Sequence, residues 1–198
     1  MSTNIKEKMN TLKKELLLEE ASTLFEELGY EEMKLVTLAK KAGVSIGTIY
    51  GFFNSKEGLY MAYIEHQIHT FTKELEERTA LLDSAEERLK VFIELKFSYY
   101  CSKREALHHS IKNNPFFFNT FYKENLHPLE NIFLFQANAF RAINKNISQE
   151  SAMEMAYLFN GFTDGYVSRW FEVQDDLMSK TNEACELFLL MVKGYNHG

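Results

Sequence analysis

The chain has 198 residues, of which 45% are hydrophobic and 25% charged, and a formal net charge of −6. That balance suits a globular protein with one well-buried core or two smaller ones, and its acidity excludes a protein that coats nucleic acid regardless of sequence. No apolar run is long enough to cross a membrane, and the opening MSTNIKEKMNTLKKE lacks the apolar stretch of a secretory signal, so a cytoplasmic location is expected.

In chain order, apolar residues recur at spacings of three and four from Lys6 to Leu28 (Met9, Leu12, Leu16, Leu17, Ala21, Leu24, Phe25, Leu28), which predicts one helix ended by Gly29. A short helix over Leu35 to Ala42 is closed by Gly43, and another covers Ile46 to Phe52. Asn54-Ser55-Lys56-Glu57 reads as a capping box, Asn54 to Glu57, opening a long helix toward Thr79. Ser84 to Glu87 is a second such box, before a helix through Tyr100. Lys103 to Lys112 reads as helical, Asn113-Asn114-Pro115 interrupts, and a short helix is expected over residues 116–122. His127-Pro128 places proline in the first turn of a helix reaching Ile143. Ser148 caps a helix to about Phe171, and the last helix is expected from Asp175 or Asp176 to Lys193. Without convincing strand alternation, the fold class is all-α: an N-terminal three-helix helix-turn-helix domain over residues 1–54 and a larger helical domain over 55–198.

The segment AGVS, Ala42 to Ser45, joins two short helices in the way that seats one of them in a DNA major groove. Gly43 supplies the positive φ of the tight turn, Val44 packs inward, and Ser45 caps the next helix while offering its hydroxyl outward. Gly47 lets backbone approach DNA, Thr48 and Tyr50 point out, and Ile49 and Phe53 point to the small core. The Tyr50 hydroxyl suits a phosphate, and Lys56 stands at a helix N-terminus, where backbone N–H groups also favour an anion. Residues 1–58 hold eight Lys, no Arg and nine Glu, so any DNA contact should have a modest salt dependence.

Leu17 to Tyr63, LLEEASTLFEELGYEEMKLVTLAKKAGVSIGTIYGFFNSKEGLYMAY, resembles the N-terminal domain of TetR-family transcriptional regulators. It carries in order the family's LF…GY, LA…AGVS, GTIY and F-x-SKE-x-L features. The resemblance implies a homodimer that sets its third helices into successive major grooves of a palindromic double-stranded DNA operator. Position by position, it implies DNA-facing roles for Lys34, Thr37, Ser45, Ile46, Gly47, Thr48, Tyr50 and Lys56. Four positions depart from the family: Lys34 replaces a hydroxyl cap with a cation, and Ile46, Gly51 and Phe52 stand where polar or basic residues are common. Ile46 suits a thymine methyl, or is simply an exposed apolar residue.

Beyond residue 80 the chain is rich in aromatics. In the family this region holds an effector pocket, and its last two helices pair across the dimer, so the resemblance implies that residues 55–198 form a ligand-binding and dimerisation domain. Candidate ligand-binding residues are Phe92, Phe97, Tyr100, Phe117, Phe121, Phe133, Phe162 and Tyr166, with packed core as the competing reading of each. Gly161 and Gly165 share one face of a helix, which favours close approach of a second helix. With Tyr157, Leu158, Trp170, Leu187, Leu190 and Met191 they are the candidate dimer surface.

No catalytic constellation stands out, so no enzyme is expected, and no cofactor. No metal site is expected either: His108 and His109 point about 100° apart on a helix, and for His66 and His69, which could share a metal at i, i+3, no acidic or cysteine partner is evident in the sequence. Cys101 and Cys185 should be buried thiols rather than a disulfide. The favoured function is a ligand-responsive regulator, a repressor released from DNA by a small, largely apolar or aromatic effector. The alternative is a helical small-molecule binding protein that has lost sequence-specific DNA binding.

Overall fold

The computed structural model describes residues 2–113, 126–173 and 175–196, and every regular element among them is helical. The elements are α1 (Ser2–Glu32), α2 (Leu35–Ala42), α3 (Ile46–Phe53), α4 (Lys56–Thr79), α5 (Ala85–Ser102), α6 (Arg104–Asn113), α7 (Leu126–Ile143), α8 (Gln149–Val173), a 3-10 turn (Met178–Lys180) and α9 (Thr181–Gly194). The helix expected over residues 116–122 lies outside the described residues, as do the ligand candidates Phe117 and Phe121. No described helix is long and apolar enough to cross a membrane.

Two compact units form, one from the described residues of Met1–Gln67 and Lys103–Asn113, the other from those of Ile68–Ser102 and Asn114–Gly198. The division falls inside α4, between Gln67 and Ile68.

In the first unit, α1 buries Leu17, Ala21, Leu24 and Phe25, one stripe at helical spacing. Upstream, Ile5, Met9, Leu12 and Leu16 are exposed, so the apolar pattern outruns the core. At Gly29 the helix kinks (φ 76°, ψ 172°), and a Cβ there would stand 3.0 Å from the Glu105 carbonyl oxygen of α6. That close approach lets α6 lie along α1. Lys103 Nζ pairs with Glu26 at 2.6 Å, and the buried Tyr60 hydroxyl donates to the Ala106 carbonyl at 2.8 Å. Phe25 packs edge-on against Tyr60 at 5.1 Å between centroids, and Tyr60 stacks with Tyr63 at 5.8 Å. These rings form the unit's aromatic centre.

In the second unit, α5, α7, α8 and α9 bury one face each, meeting at Phe92, Phe140, Phe159 and Phe188. Asn144, after α7, donates from Nδ2 to the carbonyls of Val192 (2.9 Å) and Tyr195 (2.8 Å), satisfying open acceptors at the end of α9. Ser84 and Ser148 both cap as expected, accepting from the N–H of Glu87 at 3.2 Å and of Ser151 at 3.0 Å.

Two boundaries differ from the sequence expectation. The cap of α4 is Ser55, whose Oγ accepts the Gly58 N–H at 2.9 Å, and not Asn54. Asn54 instead ends α3 with φ 63°, its N–H bonded to the Tyr50 carbonyl at 2.8 Å. A turn this short needs one residue at positive φ, which asparagine tolerates. The last helix begins at Thr181 and not at Asp175 or Asp176, because Asp176 Oδ1 accepts the Ser179 N–H at 3.3 Å and opens the 3-10 turn.

Candidate functional site

The α2–α3 turn is built as its residues dictate. Gly43 adopts the left-handed conformation (φ 65°, ψ 31°), and its N–H and that of Val44 both reach the Ala39 carbonyl. Ser45 Oγ accepts the Thr48 N–H at 3.1 Å and lies 2.9 Å from the Thr48 hydroxyl. On α3, Ile49 and Phe53 are buried, while Ser45, Ile46, Gly47 and Tyr50 are exposed and Thr48 is half-buried. Lys34 and Thr37, at the start of α2, are also exposed, and Lys34 makes no side-chain cap.

Lys56 is half-buried and engaged with its own unit. Its Nζ donates to the Glu31 carbonyl at 3.2 Å and sits 4.5 Å from the Tyr30 ring centroid. The Tyr30 hydroxyl donates to Glu57 at 2.7 Å, and burial first, then that carboxylate, push its pKa well above the tyrosine range. Lys56 and Glu57 thus tie the start of α4 to the end of α1, and the helix-turn-helix is braced from behind. Gly58 has a part the sequence did not reveal: a Cβ there would lie 2.0 Å from the Phe53 carbonyl oxygen. The end of α3 rests directly on the first turn of α4, and only a three-dimensional path exposes that constraint.

In the second unit, Phe92, Phe97, Tyr100 and Phe133 are buried, and Phe162 and Tyr166 are half-buried. The structure brings Phe97, Phe162 and Tyr166 together, with Tyr166 6.0 Å from Phe97 and 5.4 Å from Phe162. Phe92 joins them through Phe159 (5.5 Å) and Phe188, which is 4.4 Å from Phe159 and 5.7 Å from Phe162. Phe133 pairs with Tyr157 at 4.4 Å.

A polar cluster threads this aromatic interior. Lys96, buried on α5, places Nζ 2.7 Å from Asp164 Oδ1, 2.7 Å from Thr163 Oγ1 and 3.4 Å from the Asn160 carbonyl. Asn160 Nδ2 donates to Gln136 Oε1 at 2.7 Å and to the Ala156 carbonyl at 2.8 Å. Sequence reasoning missed these residues. A signal existed: Lys96 stands four residues after Phe92 and seven after Leu89, on the buried stripe of α5.

The candidate dimer residues share one character. Tyr157, Leu158, Gly161 and Gly165 on α8 are exposed, as are Leu187, Leu190 and Met191 on α9, with Leu158 at 62% and Leu190 at 69%. Space beside both glycines is open. Trp170 is the exception, being buried in its own unit with its ring 4.8 Å from Phe171. Among the described residues, no three His, Cys, Asp or Glu side chains gather as a metal site would require.

Residues 17–63 match the model of the family described as bacterial regulatory proteins, tetR family. The chain is similar to the fatty acid metabolism regulator protein of Bacillus subtilis, 30% identical over 82 residues, which are 41% of this chain and 42% of that protein. The alignment thus spans less than half of that relative's length. The chain is also similar to the HTH-type transcriptional regulator BetI of Proteus mirabilis, 24% identical over 77% of this chain and 79% of that one. Among solved structures, FadR from Thermus thermophilus in complex with lauroyl-CoA shares the fold. Its TM-score is 0.66 at 18% identity, over 93% of this chain and 97% of that one. FadR from Bacillus subtilis in complex with stearoyl-CoA gives 0.64 at 21% identity, over 87% and 96%.

Proposed function

We propose that this chain, whose residues 17–63 match the model of the tetR family of bacterial regulatory proteins, works as a regulator of that family: it binds an operator in double-stranded DNA as a homodimer and leaves it on taking up an acyl effector. The observation that carries the reading is α3, capped at its start by Ser45, anchored by Ile49 and Phe53, and presenting Ser45, Ile46, Gly47 and Tyr50 outward. Such a helix is held rigidly enough to enter a major groove. Lys34, Thr37 and Tyr50 serve phosphates, Thr48 and Ile46 face bases, and Lys56 acts chiefly by fixing α4. The residues from 55 onward serve effector binding and dimerisation. The dimer forms through the exposed apolar surface of α8 and α9. The protein works in the cytoplasm, where its DNA lies.

The effector class comes from the similar structures, in which FadR proteins hold lauroyl-CoA and stearoyl-CoA. An interior of packed rings with a small polar cluster suits an apolar chain carrying one polar group. Effector binding in the second unit reaches the first through α4, which contributes residues to both. The effector must bind the DNA-free state more tightly, since equal affinity shifts nothing.

The reading as a scavenger without DNA function gains nothing from α3, whose turn, cap and outward face are intact. The test is fluorescence anisotropy with DNA from upstream of the protein's own gene. Wild type should bind it in preference to scrambled DNA. Thr48→Ala with Tyr50→Ala should lose at least tenfold of the affinity for the upstream DNA, at about 1 kcal/mol or more per contact. Equal binding by wild type to both DNAs would sink the proposal.

A further inference from the structure

Gln136 lies on α7 with its side chain completely buried. Its Oε1 accepts from Asn160 Nδ2 at 2.7 Å, while its Nε2 is buried with no hydrogen-bond partner among the described residues. Exchanging O and N does not remove this orphan. Asn160 must turn its amino group toward Gln136, because the same nitrogen donates to the Ala156 carbonyl at 2.8 Å. Gln136 must therefore answer with its oxygen, which leaves the amide N–H groups facing away. Cores seldom keep such a donor, because burying it unpaired costs about 1–3 kcal/mol.

The surroundings specify the missing acceptor. Ile132, Phe133 and Phe140, four before, three before and four after Gln136 on the same face of α7, are all buried and apolar. The one cation of the cluster, Lys96, is already matched by Asp164 and by the Thr163 hydroxyl, each at 2.7 Å. Among the described residues of this cluster no positive charge is left over to hold a carboxylate, so a neutral oxygen within an apolar molecule fits this position.

We infer that Gln136 is the polar anchor of the effector site, its Nε2 donating to the carbonyl oxygen of an acyl ligand. This deepens the acyl-effector reading and rests on it. Asn160 is a positioning residue: it holds the Gln136 amide in the orientation that exposes the donor.

The test compares lauroyl-CoA with S-dodecyl-CoA, a thioether of the same chain length without the carbonyl oxygen, by isothermal titration of the full-length chain. Wild type should bind the thioester about tenfold more tightly, the worth of one hydrogen bond in a site closed to water. Gln136→Leu and Gln136→Met should bind the two compounds equally. The ligand-free variants should melt close to wild type, because each removes the unpaired Gln136 donor but leaves one Asn160 Nδ2 hydrogen without its acceptor, while Asn160 keeps its bond to Ala156. Equal binding of both compounds by wild type overturns the anchor while sparing the acyl reading. Persistence of the thioester preference in either variant overturns it as well. If wild type binds neither compound, the acyl reading fails and the anchor with it. The wild-type comparison decides the matter even if both variants fail to fold.

Discussion

Gly58 and Gly51 lie seven residues apart and answer to opposite constraints. A Cβ at Gly58 would collide with the Phe53 carbonyl at 2.0 Å, whereas one at Gly51 meets nothing within 4 Å. Gly58→Ala should therefore destabilise the protein by about 1–3 kcal/mol through forced displacement of the α3–α4 turn. Gly51→Ala should stabilise it by about 1 kcal/mol, since glycine is the poorer residue inside a helix. Urea titration of both variants beside wild type checks the pair, and the same sign for both would refute the geometry. Local signals of this kind were partly legible in the sequence. Gly43 and Ser45 announce their turn and cap because their roles are settled within four residues. The role of Gly58 was not legible, because it depends on where a carbonyl from the preceding helix comes to rest. Asn54 and Ser55 both qualify as caps on paper, and only the φ demand of the turn decides between them.

Helices carry the next level of constraint. The start of α3 depends on Ser45, so Ser45→Ala should cost about 1 kcal/mol of stability. It should also weaken operator binding, as both the cap and an outward hydroxyl are lost. In the second unit, Lys96 ties α5 to α8 through Asp164, Thr163 and Asn160. Lys96→Ala would strand the Asp164 carboxylate. The expected loss is about 3 kcal/mol, at the low end for a buried pair, because Asp164 keeps a quarter of its side chain exposed. Thermal melts of Lys96→Ala and of Lys96→Met with Asp164→Leu test this, the paired variant recovering most of the loss. Helix existence was readable from periodicity, and so was the buried stripe of α5. The partners of Lys96 were not, since Asn160 and Thr163 lie more than sixty residues away and periodicity reports a face without naming what covers it. The beginning of α1 marks the limit of the same reasoning: Met9, Leu12 and Leu16 keep helical spacing yet stay exposed.

At the scale of the whole molecule, the proposed dimerisation and the proposed DNA reading belong together. Leu158 and Leu190 are among the most exposed apolar residues of the chain. Leu158→Asp with Leu190→Asp should give a monomer by sedimentation velocity, with operator affinity reduced more than a hundredfold because paired half-sites are no longer engaged together. Far-UV circular dichroism should still report a folded helical protomer, as expected if the surface is an interface rather than core, while the melting temperature falls by the contribution of association. A net charge of −6 and few exposed lysines on the reading face predict a shallow dependence of affinity on salt. The all-α class and the helix-turn-helix were legible because they rest on local spacing. The polar cluster was hidden because it is assembled from three helices.

If an acyl effector governs operator binding, a single titration will show it. Lauroyl-CoA or stearoyl-CoA is added to the wild-type protein bound to labelled DNA from upstream of its own gene, with free CoA as the control. The acyl-CoA should release the DNA in a saturable way, and free CoA should not. Specific DNA binding that no acyl-CoA alters would contradict control by an acyl effector.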